Sequence, residues 1–312
     1  MSIEYTPGPL LDAARNTPTA LWNDSSDPSE LAQSISFGGV GATCNPTIAY
    51  TCINQRRDVW LPRIAELAKE MPTATESEIG WQVVRELSLE AAKLLVPIFE
   101  AENGRNGRLS MQTDPRLARS AKALADQAEE FHNLAKNIIV KIPATSVGVE
   151  AIEEATYRGV SVNVTVSFSV SQAVVTGEAI ERGLKRREAE GKDTSQMGPV
   201  VTLMVGRLDD WIKEVAKRDR LFIDPGHLEW CGIAAFKRAY QEFQKRGLRA
   251  RMLSAAFRNV THWSEFVRAY EPDGMTPEEF DTFGATVRTL RGFLQADADL
   301  DALVRDVIMP AP

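Results

Sequence analysis

The chain has 312 residues, 44% of them hydrophobic and 25% charged, a balance ordinary for a soluble globular protein with ample material for a core. Its formal net charge is -7, from 36 Lys and Arg against 43 Asp and Glu, which argues against a nucleic-acid backbone or an anionic membrane as main partner, so an anionic substrate would be met by a few local arginines. Cys44, Cys52 and Cys231 make no disulfide framework, and His132, His227 and His262 stand in no metal-ligand spacing. With no basic-then-apolar leader and no run of about 18 apolar residues, a metal-free cytoplasmic protein is expected.

Short strand-like runs alternate with long amphipathic helices, the signature of βα units around a parallel sheet. Strands are expected near Ala20–Asn23, Gly41–Asn45, Arg108–Thr113, Asn137–Ile142, Ser161–Phe168, Val200–Val205 and Leu248–Phe257. Asp114-Pro115 reads as an N-cap with proline at the first helical position, opening a helix to Lys136. Thr145 or Ser146 starts the next helix, which stops at Gly159, and Asp224-Pro225 opens another that stops at Gly247. Thr276-Pro277-Glu278-Glu279 is a capping box that begins a helical tail carrying Phe293, Leu300 and Val304, and Lys192–Met197 reads as a flexible loop. Length alone leaves one large domain with appended helices and two domains equally open. The alternation favours a single α/β-barrel domain over 1–312, with helical appendages at the N-terminus and at about 276–309.

Ile138-Ile139-Val140-Lys141-Ile142-Pro143-Ala144-Thr145 reads as a strand buried on both faces. A lysine there either snorkels to water or pairs with a carboxylate, or else it is a desolvated amine, the state that attacks a carbonyl to form a Schiff base. Side chains alternate across a strand, so Asn163, Thr165 and Ser167 share a face opposite Val162, Val164 and Val166. Thr43 with Asn45, Ser110 with Gln112, and Thr202 with Met204 divide in the same way. In a barrel covered by helices the polar face points inward, where a site would lie; a polar layer satisfied by its neighbours is the alternative. Arg207 follows the sixth run and Arg258 the seventh, which suits a phosphate clamp at late strands, or else either arginine pairs with Asp209 or Asp210.

Six blocks in order resemble the transaldolase family, class I Schiff-base enzymes on a TIM-type α/β barrel. They are Leu21-Trp22-Asn23-Asp24, Gly41-Ala42-Thr43-Cys44-Asn45-Pro46-Thr47, Val140-Lys141-Ile142-Pro143-Ala144-Thr145, Asn163-Val164-Thr165-Val166-Ser167-Phe168-Ser169, Val205-Gly206-Arg207 and Ala256-Phe257-Arg258. The resemblance spans about Leu21 to Arg305. It implies Lys141 as the nucleophile on the ketose C2 carbonyl, Asp24 as the base for the C4 hydroxyl, and Thr165 as the holder of the catalytic water. Asn45 and Asn163 would bind the dihydroxyacetone fragment, with Arg207, Arg258 and Thr202 binding phosphate. Because the protonated imine is the electron sink, no cofactor is implied. The implied substrates are phosphorylated ketose and aldose sugars of the pentose phosphate pathway.

Three departures stand out. Gln112 occupies a place where the family carries glutamate, and loss of such a proton-transfer group slows a step by roughly two to four orders of magnitude unless something compensates. The related fructose-6-phosphate aldolases resemble this chain in using glutamine there, but they pair it with tyrosine, and the matching position here is Met204, where transaldolases have phenylalanine. After Arg258 the chain runs from His262 directly to the Arg268–Tyr270 and Asp273–Thr276 blocks, so the eighth strand is expected to be missing. Open edges at the first and seventh strands would then be covered by the tail or by a partner chain, as in a homodimer. The residues leave three functions open: a transaldolase-type transfer, an aldolase releasing free dihydroxyacetone from fructose 6-phosphate, and a degenerate family member that binds a sugar phosphate, or a partner protein, without turnover.

Overall fold

The structure, a computed structural model, describes residues 3–264 and 277–309. The chain divides into two compact units, the first comprising Met1–Gln112, Phe131–Ile139 and Arg291–Pro312, the second Thr113–Glu130 and Val140–Leu290.

In the first unit β1 (Leu21–Asn23), β2 (Gly39–Thr43) and β3 (Arg108–Gln112) pair in parallel in chain order. The start of β4 (Ile138–Pro143) follows, with the Leu109 amide donating to Asn137 O at 3.0 Å. The side chain of Asn137, fully buried, donates to Ala92 O and Gly107 O at 2.8 and 2.9 Å, which ties the helix Glu76–Ala101 to the approach to β3. That helix starts on a reciprocal capping box, Thr75 with Glu78, and buries Ile79, Val83, Leu87, Ala91 and Leu95 along one stripe. Phe293, Leu300 and Val304 of the helix Gly284–Ile308 are buried, as the tail pattern predicts.

In the second unit the rest of β4, β5 (Val162–Thr165), β6 (Val200–Met204) and β7 (Arg251–Ala255) pair in parallel in chain order. Each of β4 to β6 leads into a helix: Ser146–Arg158, Val170–Ala189 and Val205–Arg218. The first is capped by Thr145, whose side chain accepts from the Gly148 amide at 2.9 Å, and ends at Gly159 with φ of 101°. Gly247, with φ of 63°, ends the helix Cys231–Arg246 in the same left-handed way. The runs Ile138–Ile142 and Val200–Leu203 are buried throughout, as strands covered on both faces must be.

The βα alternation makes this an α/β fold of the TIM-barrel type, with seven strands and no eighth among the described residues. The Arg268–Tyr270 and Asp273–Thr276 blocks, including the expected cap Thr276, lie outside the described residues.

Local chemistry moves three boundaries. Asp114-Pro115 opens only a 3-10 turn, Pro115–Leu117, because the Asp114 carboxylate caps the Arg116 amide and grips the Arg116 guanidinium at 2.7 and 2.9 Å; the helix begins at Ala121 and ends at His132. Asp224-Pro225 likewise precedes a short turn, His227–Glu229, before the helix at Cys231. β5 ends at Thr165 and not at Phe168, because Val166 takes φ of 52° and breaks the alternation.

Candidate active site

Lys141 lies on β4 in the second unit with 5% of its surface exposed, so it does not snorkel. It stands in register with Asn163 on β5, and Pro143 with Thr165. Asn163 is wholly buried and its side-chain oxygen accepts a 2.6 Å hydrogen bond from the Thr202 hydroxyl on β6. That bond fixes which end of the amide faces β6 and engages Thr202 with Asn163. Thr165, also buried, lies 4.0 Å from the Met204 sulfur.

Arg207 sits in the first turn of the helix Val205–Arg218, whose N-cap residue, Met204, offers no side-chain cap. A cation at this end opposes the helix dipole unless an anion is also to be held there. Arg207, Arg258 and Arg288 line one cleft of about 220 Å³, together with Asp210, Trp211 and Thr289. Arg207 donates to the Thr289 hydroxyl at 3.2 Å. Arg258 donates from Nε to Asp210 at 2.9 Å and from Nη1 to Ala256 O at 2.9 Å, so the ion pair weighed from the sequence forms, with Asp210 and not Asp209. Among the described residues three guanidiniums and one carboxylate line the cleft, a set suited to an anion.

Asp24, Asn45 and Gln112 belong to the first unit. Asp24 is exposed and accepts from the Thr43 hydroxyl at 2.6 Å. Asn45 caps the helix Pro46–Gln55, its side-chain oxygen accepting from the Ile48 amide at 3.0 Å, which leaves its amide NH2 as the group it can offer a ligand. Gln112 is 4% exposed, and its side-chain oxygen is buried without a hydrogen-bond partner among the described residues. It lines a small pocket with Asn45, Trp81 and Asp297. Among the described residues no cluster of His, Cys, Asp and Glu could hold a metal ion, and no helix is long and apolar enough to cross a membrane.

Residues 21–276 match the model of the family described as Transaldolase/Fructose-6-phosphate aldolase. The chain belongs to this family. It is similar to Transaldolase 2 of Streptomyces avermitilis, 36% identical over 183 residues covering 57% of this chain and 47% of that protein. It is similar too to Transaldolase 2 of Streptomyces coelicolor, 34% identical over 213 residues covering 66% and 55%, and to the transaldolase of Thiobacillus denitrificans, 34% identical over 182 residues covering 57% and 50%. The chain spans about half the length of the curated relatives it matches.

Two groups escape a reading of this transaldolase-family sequence. Arg288 and Thr289 lie in a segment that reads only as an amphipathic tail, and no local pattern separates them from the other charged residues of that helix. Gln172 is fully buried and accepts from the Phe168 and Ser169 amides at 3.0 and 3.3 Å while donating to Val166 O and Ala144 O, both at 3.1 Å. It therefore clamps the strained turn at Val166, directly after Thr165. Ser169-x-x-Gln172 is a capping box legible in sequence, but the reach of Gln172 to Val166 O and Ala144 O has no signature in one dimension.

Proposed function

We propose that this chain carries out transaldolase-type chemistry, moving a dihydroxyacetone unit between sugar phosphates through a Schiff base on Lys141. The observation that carries the reading is a lysine 5% exposed, in register with a buried Asn163 that Thr202 orients, in the same unit as an arginine-lined cleft. A lysine amine is the group that adds to a ketone carbonyl to form a Schiff base. The Lys141 nitrogen adds to the ketose C2, water leaves, and the protonated imine takes up the electron pair released when C3–C4 breaks. The proton of the C4 hydroxyl leaves to a base and the first aldose departs. The remaining nucleophilic carbon then adds to the acceptor aldehyde, and water releases the product from the lysine.

In this reading Asn163, held by Thr202, binds the dihydroxyacetone hydroxyls, and the Arg207–Arg258–Arg288 cleft binds the phosphate. For Asp24 as the base, Asn45 as a second hydroxyl partner and Thr165 as the water holder, the family resemblance is the support. Fructose 6-phosphate followed by borohydride should fix a three-carbon adduct on Lys141, read by peptide mass spectrometry; no adduct there would end the reading.

Gln112 favours a second reading, an aldolase that releases free dihydroxyacetone, since glutamine stands at this place in the aldolase branch of the resemblance. Assay of fructose 6-phosphate without an acceptor separates the two: accumulation of free dihydroxyacetone supports the aldolase, and turnover only with an added aldose phosphate supports transfer.

A further inference from the structure

Arg258 reaches the cleft on a loop that a buried pair on other elements holds in place. His262 and Asp209 are both fully buried. The Arg258 backbone amide donates to His262 Nδ1 at 3.0 Å, and His262 Nε2 lies 2.8 Å from Asp209 Oδ2. Since Nδ1 accepts, the ring proton resides on Nε2 and is donated to the carboxylate. Asp209 Oδ1 accepts in turn from the Gly232 amide at 2.7 Å. One carboxylate thus joins the helix Val205–Arg218, the start of the helix Cys231–Arg246 and the loop after β7, and it selects the tautomer that can receive the Arg258 amide.

The same loop is pressed against the turn that carries Arg207. A Cβ on Gly206 would stand 2.0 Å from Ala256 O and 2.7 Å from Arg258 Cγ, so only glycine fits beneath the loop. Ala256 itself holds φ of 63°, a left-handed conformation that an L-residue keeps only when its surroundings enforce it. Asn259 completes the turn, its side-chain oxygen accepting from the amides of Thr261 and His262 at 3.0 and 3.3 Å.

We propose that Asp209 and His262 are positioning residues that hold Arg258 opposite Arg207 for the substrate phosphate, acting through the tautomer of His262. This rests on the reading of the arginine cleft as the phosphate site. Packing alone would be satisfied by any side chain of equal volume, whereas the tautomer requires an acceptor at position 209. In Asp209→Asn the amide oxygen still serves the Gly232 amide, but the NH2 then faces Nε2. The ring must present its lone pair there, which moves its proton to Nδ1, against the Arg258 amide.

The test compares wild type with Asp209→Asn, His262→Asn, His262→Phe and Arg258→Ala, scoring kcat and KM for fructose 6-phosphate and the inhibition constant of inorganic phosphate. Expected are a ten-fold or larger rise in KM and in the phosphate inhibition constant for Asp209→Asn and His262→Phe, with kcat within about three-fold. His262→Asn keeps an acceptor for the Arg258 amide and should fall between wild type and His262→Phe. If Arg258→Ala raises both constants while Asp209→Asn and His262→Phe leave them within two-fold, the positioning role is overturned and the phosphate reading stands. If Arg258→Ala changes neither, the phosphate reading fails and the proposal with it. For variants that do not fold, nitrogen NMR of the wild-type His262 ring decides: a proton on Nε2 supports the proposal and a proton on Nδ1 overturns it.

Discussion

The Thr202 hydroxyl donates to the side-chain oxygen of Asn163 at 2.6 Å across the β5–β6 pair, and Asn163 stands in register with Lys141 on β4. A hydrogen bond between β5 and β6 therefore orients the amide that stands in register with the proposed nucleophile on β4. Thr202→Val removes this donor from the Asn163 side-chain oxygen at equal volume, a loss of about 0.5–1.5 kcal/mol. The expected result is a fall in kcat/KM of roughly ten-fold, with Thr202→Ser within about three-fold of wild type. Steady-state kinetics with fructose 6-phosphate and an aldose phosphate acceptor measure both.

Arg288 adds a third guanidinium to the cleft with Arg207 and Arg258. Hydrogen bonds to a charged group contribute about 1.5–3 kcal/mol, so Arg288→Ala should raise KM for fructose 6-phosphate by about 10- to 100-fold. kcat should change little, because the lost contact is made in ground state and transition state alike. An unchanged KM would remove Arg288 from the phosphate site.

Gln112 can hold a water but cannot exchange its proton. If imine formation or hydrolysis limits turnover, Gln112→Glu should raise kcat by roughly a hundred-fold, the lower end of what a general acid–base group supplies. Equal activity of the two would show that glutamine already serves at this place. Free dihydroxyacetone measured in the same reactions shows whether the change also shifts the balance between transfer and release.

Gln172 satisfies four backbone groups inside the second unit: the Phe168 and Ser169 amides and the Ala144 and Val166 carbonyls. Gln172→Leu has similar bulk and strands all four in the interior, so it should destabilise the protein by about 3–5 kcal/mol. Urea denaturation would show a lowered midpoint, and a loss below about 1 kcal/mol would contradict the clamp.

In the first unit Arg63 grips Glu86 with two bonds of 2.9 Å and also reaches Glu70 at 2.9 Å, joining the helix Arg57–Glu70 to Glu76–Ala101. The hydrogen bonds from Arg63 hold the Glu86 carboxyl below its ordinary value of 4.5. A carboxylate with a lowered folded-state value stabilises fully above its unfolded value and loses that contribution as pH falls through the folded one. Stability should therefore drop on acidification below about pH 5, and Glu86→Gln should flatten that part of the profile while lowering stability at pH 7. Denaturation midpoints at pH 7 and pH 4 for both proteins make the comparison.

Much of the architecture was legible in one dimension. The strands β4 and β6 fall where β-branched runs announce them, because a strand buried on both faces must be apolar throughout. Thr145, Gly159 and Gly247 mark helix ends, since a cap hydroxyl and a left-handed residue act within a few residues of chain. The boundaries that moved did so at Asp114, Asp224 and Val166, where a side-chain grip or a tertiary clamp overrides the local signal.

From residue order alone follow the α/β class, the family and the candidates Lys141, Asn163, Arg207 and Arg258, because strand periodicity and short motifs are local properties. Folding alone decides that Lys141 is buried, that Thr202 orients Asn163, that Arg288 joins two other arginines, and that Asp209, His262 and the Arg258 amide share one proton arrangement. The Thr202–Asn163, Arg207–Thr289 and His262–Asp209 bonds join residues 39 to 82 positions apart, and hydrogen bonds over such separations exist only once strands and helices have packed.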